Sequence, residues 1–219
     1  LRGLHGVSAT LETIRALTEI SAAEWDACAA AAGGADHPFI AHGFLSALEE
    51  TGCVGPETGW TPCHLVLRAG GGVAGVAPLY LKAHSQGEYV FDHGWAEAFQ
   101  RAGGRYYPKL HCAVPFTPVT GPRLLAGTAA ERVLLARGLS ALAERLAVSS
   151  AHATFIRPDE AEAFADGWLP RHDIQFHWRN EGYGRFDDFL GELSSSRRKV
   201  IRRERRAVAE LGIAFVAKR

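Results

Sequence analysis

Methionine is absent from this 219-residue sequence. So is any run of about 18 apolar residues, so no stretch has the length and composition of a membrane-spanning helix. The first thirty residues are interrupted by Arg2, Glu12, Arg15, Glu19 and Glu24 and hold no continuous apolar block, so they do not read as a signal peptide. The four cysteines, Cys28, Cys53, Cys63 and Cys112, include no C-x-x-C pair. That spacing supports neither a zinc site nor a disulfide framework, and the expectation is reduced thiols in a cytoplasmic protein without a metal centre. The sequence begins at Leu1 and stops within Ile213-Ala214-Phe215-Val216-Ala217, which reads as a strand just begun. Both ends are expected to be those of a partial copy of a longer protein.

Hydrophobic residues make up 47% and charged residues 22%. Such a composition excludes disordered and fibrous classes and provides for a core that folds alone. The formal net charge is zero but unevenly placed. Residues 194–219 carry nine of the 24 Lys/Arg and two of the 24 Asp/Glu, a local net of +7 against −7 elsewhere. A local anion-binding surface follows, not a globally basic protein.

Hydrophobic periodicity gives a mixed α/β order. Ser21 and Glu24 form the pattern of a capping box and open a helix running to Ala32, and His42 to Thr51 reads as a second helix. His64–Arg68 and Val73–Leu81 flank a glycine turn as a β-hairpin. Glu88–Phe91 reads as a short strand and Trp95–Arg101 as a short helix. Leu110–Val119 is apolar but carries Pro115 and Pro118, which cannot donate to a ladder. It must therefore be an edge strand or lie where strands splay apart. A long helix over Thr128–Ala147, a strand at Ala151–Ile156, a short helix at Pro158–Ala165 and a strand at Ile174–Trp178 follow. Residues 1–183 are expected to form one domain. Residues 184–219, with a helix at Phe186–Leu193 and a basic helix at Ser194–Leu211, would open a second. No internal repeat is visible.

Local wording is more specific than element order. His37-Pro38-Phe39, Gly59-Trp60-Thr61-Pro62, Pro78-Leu79-Tyr80-Leu81-Lys82, Gly87-Glu88-Tyr89-Val90-Phe91-Asp92, Tyr106-Tyr107-Pro108-Lys109, the stretch Val114 to Arg123 and the run Arg197 to Arg206 resemble a FemAB-like family of predicted N-acyltransferases. The resemblance spans essentially the whole chain. It implies the fold of the GNAT (acyl-CoA N-acyltransferase) superfamily: a mixed sheet in which two strands splay around the cofactor arm, here 110–119 and 151–156. It also implies two GNAT-like halves, of which this chain holds the first plus the entry to the second. The implied donor is an acyl-CoA or an aminoacyl-tRNA, and the implied acceptor an amine, such as one on a cell-wall precursor. One departure bears on the donor. The R/Q-x-x-G-x-G/A loop whose N–H groups hold the CoA pyrophosphate is missing from Arg123–Thr128, which has one glycine.

N-acyl transfer needs a base for the amine proton, donors for the oxyanion and a proton for the leaving group. The densest polar stretch is Glu88–Arg123. In it Glu88 or Asp92 is a candidate base and Tyr107 a candidate proton donor, while Arg105, Lys109 and Arg123 are candidates to hold phosphate or carboxylate. Taken singly, the carboxylates read as surface groups and Tyr106, Tyr107 and His111 as structural. Together they read as a ligand-facing cluster. On the basic helix, Arg198, Arg202, Arg205 and Arg206 lie near one face with few acidic partners, which favours phosphate groups or tRNA. Alternatives are a tRNA-dependent aminoacyl transferase and a non-catalytic half that recognises the acceptor.

Overall fold

The structure, a computed structural model, describes residues 9–90, 92–164, 167–214 and 216. It divides into two compact units, one ending at Leu169 and one beginning at Pro170.

The first unit opens with β1 (Thr10–Ile14), α1 (Ala22–Ala31) and α2 (His42–Glu50). β2 (Trp60–Pro62), β3 (His64–Ala69), β4 (Gly72–Ala77) and β5 (Leu79–Lys82) follow. Then come α3 (His93–Arg101), β6 (Lys109–Cys112), β7 (Leu125–Ala126), α4 (Ala129–Arg145) and β8 (Ala151–Ala153). The α1 capping box forms as its sequence dictates: Ser21 Oγ accepts from Glu24 N–H and Glu24 Oε2 accepts from Ser21 N–H. Trp25, one turn in, is fully buried and donates its indole N–H to Ile40 O at 2.8 Å.

Among the described residues there are two sheets instead of one, ordered β1-β3-β4-β7 and β2-β5-β6-β8. They are successive halves of one long hairpin. Pro62 faces Tyr80 and Leu65 faces Ala77, and Cys63 N–H donates to Leu79 O between them. The ladder breaks at Pro78, which has no N–H. Beside it the Leu79 N–H turns to His64 Nδ1 (3.1 Å), leaving His64 Nε2–H to donate to Glu49 at 2.8 Å.

Both faces of the first sheet are covered. Val66, Val76 and Leu125 pack with Trp25, Ala29 and Leu45, whereas Leu65, Leu67 and Ala126 pack with Leu135 and Leu139 of α4. Burial on both faces explains the unbroken apolar run at 65–67. β1 was not anticipated, because Thr-Leu-Glu-Thr-Ile is short and mostly exposed. It pairs antiparallel with β3 from Thr10 opposite Arg68 to Ile14 opposite His64.

Three expected elements are corrected. First, the expected strands 110–119 and 151–156 are shorter: β6 and β8 pair in parallel only from Leu110 opposite Ala151 to Cys112 opposite Ala153, and residues 113–119 and 154–156 are not strand. The prolines are accommodated differently. The chain leaves the ladder after Cys112 and rejoins it at Leu125, so Pro115, Pro118 and Pro122 lie in a loop that needs no ladder donors. Second, Glu88–Val90 is loop and not strand, and Phe91 lies outside the described residues. Third, Ile174–Trp178 is exposed irregular chain. Pro158–Phe164 is a 3₁₀ helix, and Ala165 lies outside the described residues. Of the terminal stub at 213–217, Ile213, Ala214 and Val216 are irregular and the rest lies outside.

The second unit contains α5 (Phe186–Glu192) and α6 (Ser195–Glu210). No residue of α6 is buried. Arg202 reaches Asp187 at 3.5 Å, and the Arg205 guanidinium lies 4.4 Å above the Phe186 ring. Among the described residues no helix is long and apolar enough to cross a membrane.

The return of the 113–124 loop hangs on one carboxylate. Glu160 is 1% exposed and accepts from the backbone N–H groups of Arg123 (2.8 Å), Leu124 (2.7 Å) and Arg157 (3.2 Å). Each buried donor left without a partner costs about 1–3 kcal/mol. Glu160→Ala is therefore expected to lose about 2–5 kcal/mol in urea denaturation. Glu160→Gln, which keeps one acceptor oxygen, is expected to lose clearly less. Equal stability of the two variants would show that the backbone donors find other partners.

Candidate active site

The second sheet has two unlike faces, because side chains alternate along each strand. Leu79, Leu110 and Cys112, with the partly buried Leu81, Ala151 and Ala153, form the apolar face against α4. The opposite face is built of ionisable and aromatic groups. Trp60 lies opposite Lys82 and Lys82 opposite Lys109, while Tyr80 lies opposite His111 and His111 opposite His152. Lys82, Lys109, His111 and Tyr80 are all fully buried.

Two lysines directly opposite each other repel. The loop after β5 brings the compensating charge. Lys109 Nζ donates to Glu88 Oε2 at 2.8 Å, to Asp92 Oδ2 at 2.6 Å and to Ser85 Oγ at 2.8 Å, which uses all three of its protons. Ser85 Oγ lies 2.7 Å from Tyr107 OH, and Tyr106 OH donates to Asp92 Oδ2 at 2.8 Å. Asp92 also opens α3, its carbonyl accepting from Trp95 and Ala96. The cover is completed from the 113–124 loop. Phe116 N–H donates to Gly87 O, and Gly87 sits at φ +77° with the Phe116 ring about where a Cβ would fall. Only glycine fits there.

The charges follow from these contacts. Burial would raise Asp92, but hydrogen bonds from Lys109 and Tyr106 hold it at about 2. Burial also acts to raise Glu88, yet His111 and Lys109 keep it below the usual carboxylate range. Burial and the acceptor Asp92 push the Tyr106 phenol up, so it stays a donor. Burial lowers His111, and brings His152 to about 4, so both rings are neutral. Lys82 is the outlier. Its amine lies 3.5 Å over the Trp60 ring, with one hydrogen bond to Gln86 O at 3.3 Å and Glu88 Oε1 no closer than 4.0 Å. Burial brings it down to about 7, with Glu88 only partly opposing.

The structure thus brings together Glu88, Asp92, Lys109 and, through Ser85, Tyr107. Arg105 and Arg123 are not part of this group. Arg105 is exposed. Arg123 is buried and braces its own loop, donating to Val119 O at 2.7 Å and Pro122 O at 3.2 Å. Arg198, Arg202, Arg205 and Arg206 belong to the second unit, on α6, where Arg198 donates to Gly191 O at 3.3 Å. Sequence reasoning passed over Lys82, Ser85, His152 and the role of Trp60. The signal was the alternation in Tyr80-Leu81-Lys82 and Lys109-Leu110-His111, which sets four polar groups on one face. Among the described residues no group of three or more His, Cys, Asp or Glu is arranged to hold a metal ion.

A mixed α/β unit with a buried two-lysine, two-carboxylate centre is the class of protein this site defines. The chain belongs to the FemAB-like family, described as peptidoglycan biosynthesis/recognition, whose model matches residues 16–219. Searches of curated proteins and of solved structures returned no match.

The Lys82 amine sits at about 7 when folded against an ordinary 10.5. Between those values the unfolded chain holds a proton that the folded chain has released, so folding stability rises with pH across that window. The penalty is fully present below pH 7. Lys82→Met is therefore expected to be more stable than the parent at pH 6, with the difference shrinking from pH 7 towards 10.5 in urea midpoints. A pH-independent difference would show that Lys82 does not titrate there. Asp92 has the opposite sign: its contribution is present above 3.8 and lost as pH falls through about 2.

Proposed function

We propose that the chain acts in N-acyl transfer, moving an aminoacyl or acyl group to an amine on a cell-wall precursor. The observation that carries this reading is the covered polar face of the second sheet, where Lys109 binds two carboxylates and leaves Lys82 an amine at about 7. Forming an amide from an ammonium requires a group that takes a proton near neutral pH and a donor for the leaving oxygen or sulfur. Lys82 or Glu88 suits the first task. Tyr107, hydrogen-bonded through Ser85 to Lys109, suits the second. The element order that resembles the GNAT superfamily supports the same reaction class.

The donor we favour is aminoacyl-tRNA over acetyl-CoA, which makes the reaction a cytoplasmic one. At the start of α4, Thr128 Oγ1 accepts from Glu131 N–H and Glu131 Oε2 accepts from Thr128 N–H at 2.9 Å. The helix N-terminus where a pyrophosphate would bind is occupied by its own carboxylate. On α6, by contrast, Lys199, Arg203 and Arg206 are exposed one to two turns apart, a spacing suited to a phosphate backbone. A second reading is acceptor recognition without catalysis. What favours it is an open groove of about 480 Å³ with Asp36, His37, Phe39 and Val119 in its walls, while the lysines and carboxylates of the cluster are closed from solvent.

The deciding assay supplies labelled aminoacyl-tRNA or acetyl-CoA with a nucleotide-linked cell-wall precursor bearing a free amine. Transfer from aminoacyl-tRNA is expected, and Lys109→Met and Glu88→Gln are each expected to cut it by on the order of 10²–10⁴. Circular dichroism checks that the variants fold. Calorimetry is expected to show no micromolar acetyl-CoA binding. Precursor binding without transfer from either donor would leave the recognition reading in place.

Charge reversal at Lys199, Arg203 and Arg206 spares the α5 contacts of Arg202 and Arg205. It is expected to weaken tRNA binding and flatten its salt dependence without lowering Tm. A lower Tm with unchanged affinity would remove the polyanion role of α6.

A further inference from the structure

We propose that His111 and Thr154 form a proton relay connecting the buried Lys82–Glu88 pair to the surface at the end of β8. The inference rests on the N-acyl transfer reading for its use, not for its geometry.

Glu88 is shared unequally. Its Oε2 is bound by Lys109, whereas Oε1 is buried with no hydrogen-bond partner. His111 Nδ1 is likewise buried and unpartnered, and lies 3.4 Å from that same oxygen. The other ring nitrogen, Nε2, is 2.9 Å from Thr154 Oγ1. Thr154 is half-buried, and its N–H donates to Cys112 O at 3.2 Å, which fixes it against the end of β6. Lys82 Nζ stands 4.0 Å from the same Glu88 Oε1. A polar series therefore runs Lys82, Glu88, His111, Thr154, from a fully buried amine to a half-exposed hydroxyl.

Imidazole suits the middle of such a series because it accepts a proton on one nitrogen and releases one from the other. Neutral His111 has two tautomers here: with Nδ1–H toward Glu88 it helps hold that carboxylate down, and with Nε2–H toward Thr154 it presents an Nδ1 lone pair to Glu88. In the second form both facing atoms are acceptors, which a proton arriving on either one turns into a hydrogen bond. The charged and titratable groups around the ring are Glu88, Lys82, Lys109, the cross-strand partners Tyr80 and His152, and Asp92 beyond Lys109. Burial disfavours the imidazolium relative to the neutral ring. The 4.0 Å step between Lys82 and Glu88 needs a small turn of the lysine or a bridging water.

The chemistry balances without a further reagent. The acceptor ammonium loses one proton to Lys82, and its nitrogen bonds the acyl carbon as the bond to the leaving group breaks. The leaving group takes a second proton, originally on the same nitrogen. The first proton must then leave a closed site. It passes from Lys82 to Glu88 Oε1 and on to His111 Nδ1. Nε2–H then passes to Thr154 Oγ1, whose own proton goes to solvent.

The test is NMR on protein labelled with ¹³C,¹⁵N-lysine, reading solvent exchange of the Lys82 ammonium protons at pH 6. The Lys82 signal is assigned with Lys82→Arg. His111→Gln keeps a hydrogen-bonding side chain but cannot relay, and Thr154→Val removes the exit hydroxyl while keeping the shape. Each is expected to slow exchange by on the order of 10², the low end of what a positioned acid–base group contributes. His152→Gln, which leaves the series intact, is expected to exchange at the parental rate. Parental exchange in Thr154→Val and His111→Gln would overturn the relay and mean that protons reach Lys82 by opening of the covering loop. No donor or acceptor enters the measurement, so its failure leaves acyl transfer standing, and absence of acyl transfer leaves the relay standing.

Discussion

Lys109 holds the first unit's polar face together. Its ammonium draws Glu88 and Asp92 onto the sheet within 2.8 Å and 2.6 Å. Asp92 in turn sets where α3 begins, and Glu88 sets how close a carboxylate comes to Lys82 and His111. Buried ion pairs seldom stabilise a fold relative to apolar packing, but removing one partner strands a charge at a cost of about 3–5 kcal/mol. The arrangement is therefore better understood as a device for placing groups than as a source of stability. Its by-product is the unusual state of Lys82. With the carboxylates committed to its neighbour, that amine rests on an indole ring and one carbonyl.

Much of this was legible in the residues. The capping box at Ser21, the hairpin and the long helix α4 follow from local pattern, and local pattern dominates there. The cluster of Glu88, Asp92, Tyr107 and Lys109 was legible as a dense polar stretch beside a proline-broken strand. What was hidden is what depends on tertiary placement. Pro115 and Pro118 signal an interruption in a strand equally well whether the chain splays or loops out, and only the return at Leu125 decides between them. Arg123 offers the same charge as Arg105 to a reader of the sequence, yet one is buried against carbonyls and the other exposed. Lys82 follows a hydrophobic strand, where a lysine is ordinarily solvated, and only the tertiary fold buries it.

Membership in the FemAB-like family gives the polar face a context in peptidoglycan biosynthesis or recognition. The details of the chain constrain that context. At the start of α4 Thr128 and Glu131 cap each other, and β6 pairs with β8 in parallel over three residues. The 113–124 loop is held at its return by Glu160 and over the polar face by the Gly87–Phe116 contact. Whatever reaches Lys82 must displace that cover.

The facing lysines have a consequence for how such a sequence drifts. Two lysines and two carboxylates share one dry compartment, but Lys82, at about 7, gains or sheds its proton near neutral pH. Replacing Lys109, Glu88 or Asp92 singly with a neutral residue strands a partner under the covering loop, whereas Lys82 is under no such constraint of charge. Neutral drift at this face should therefore proceed by paired exchanges of Lys109 with a carboxylate. Among divergent descendants of this sequence, those three positions would then carry the record of a joint inheritance, even where the surrounding loops have changed beyond alignment.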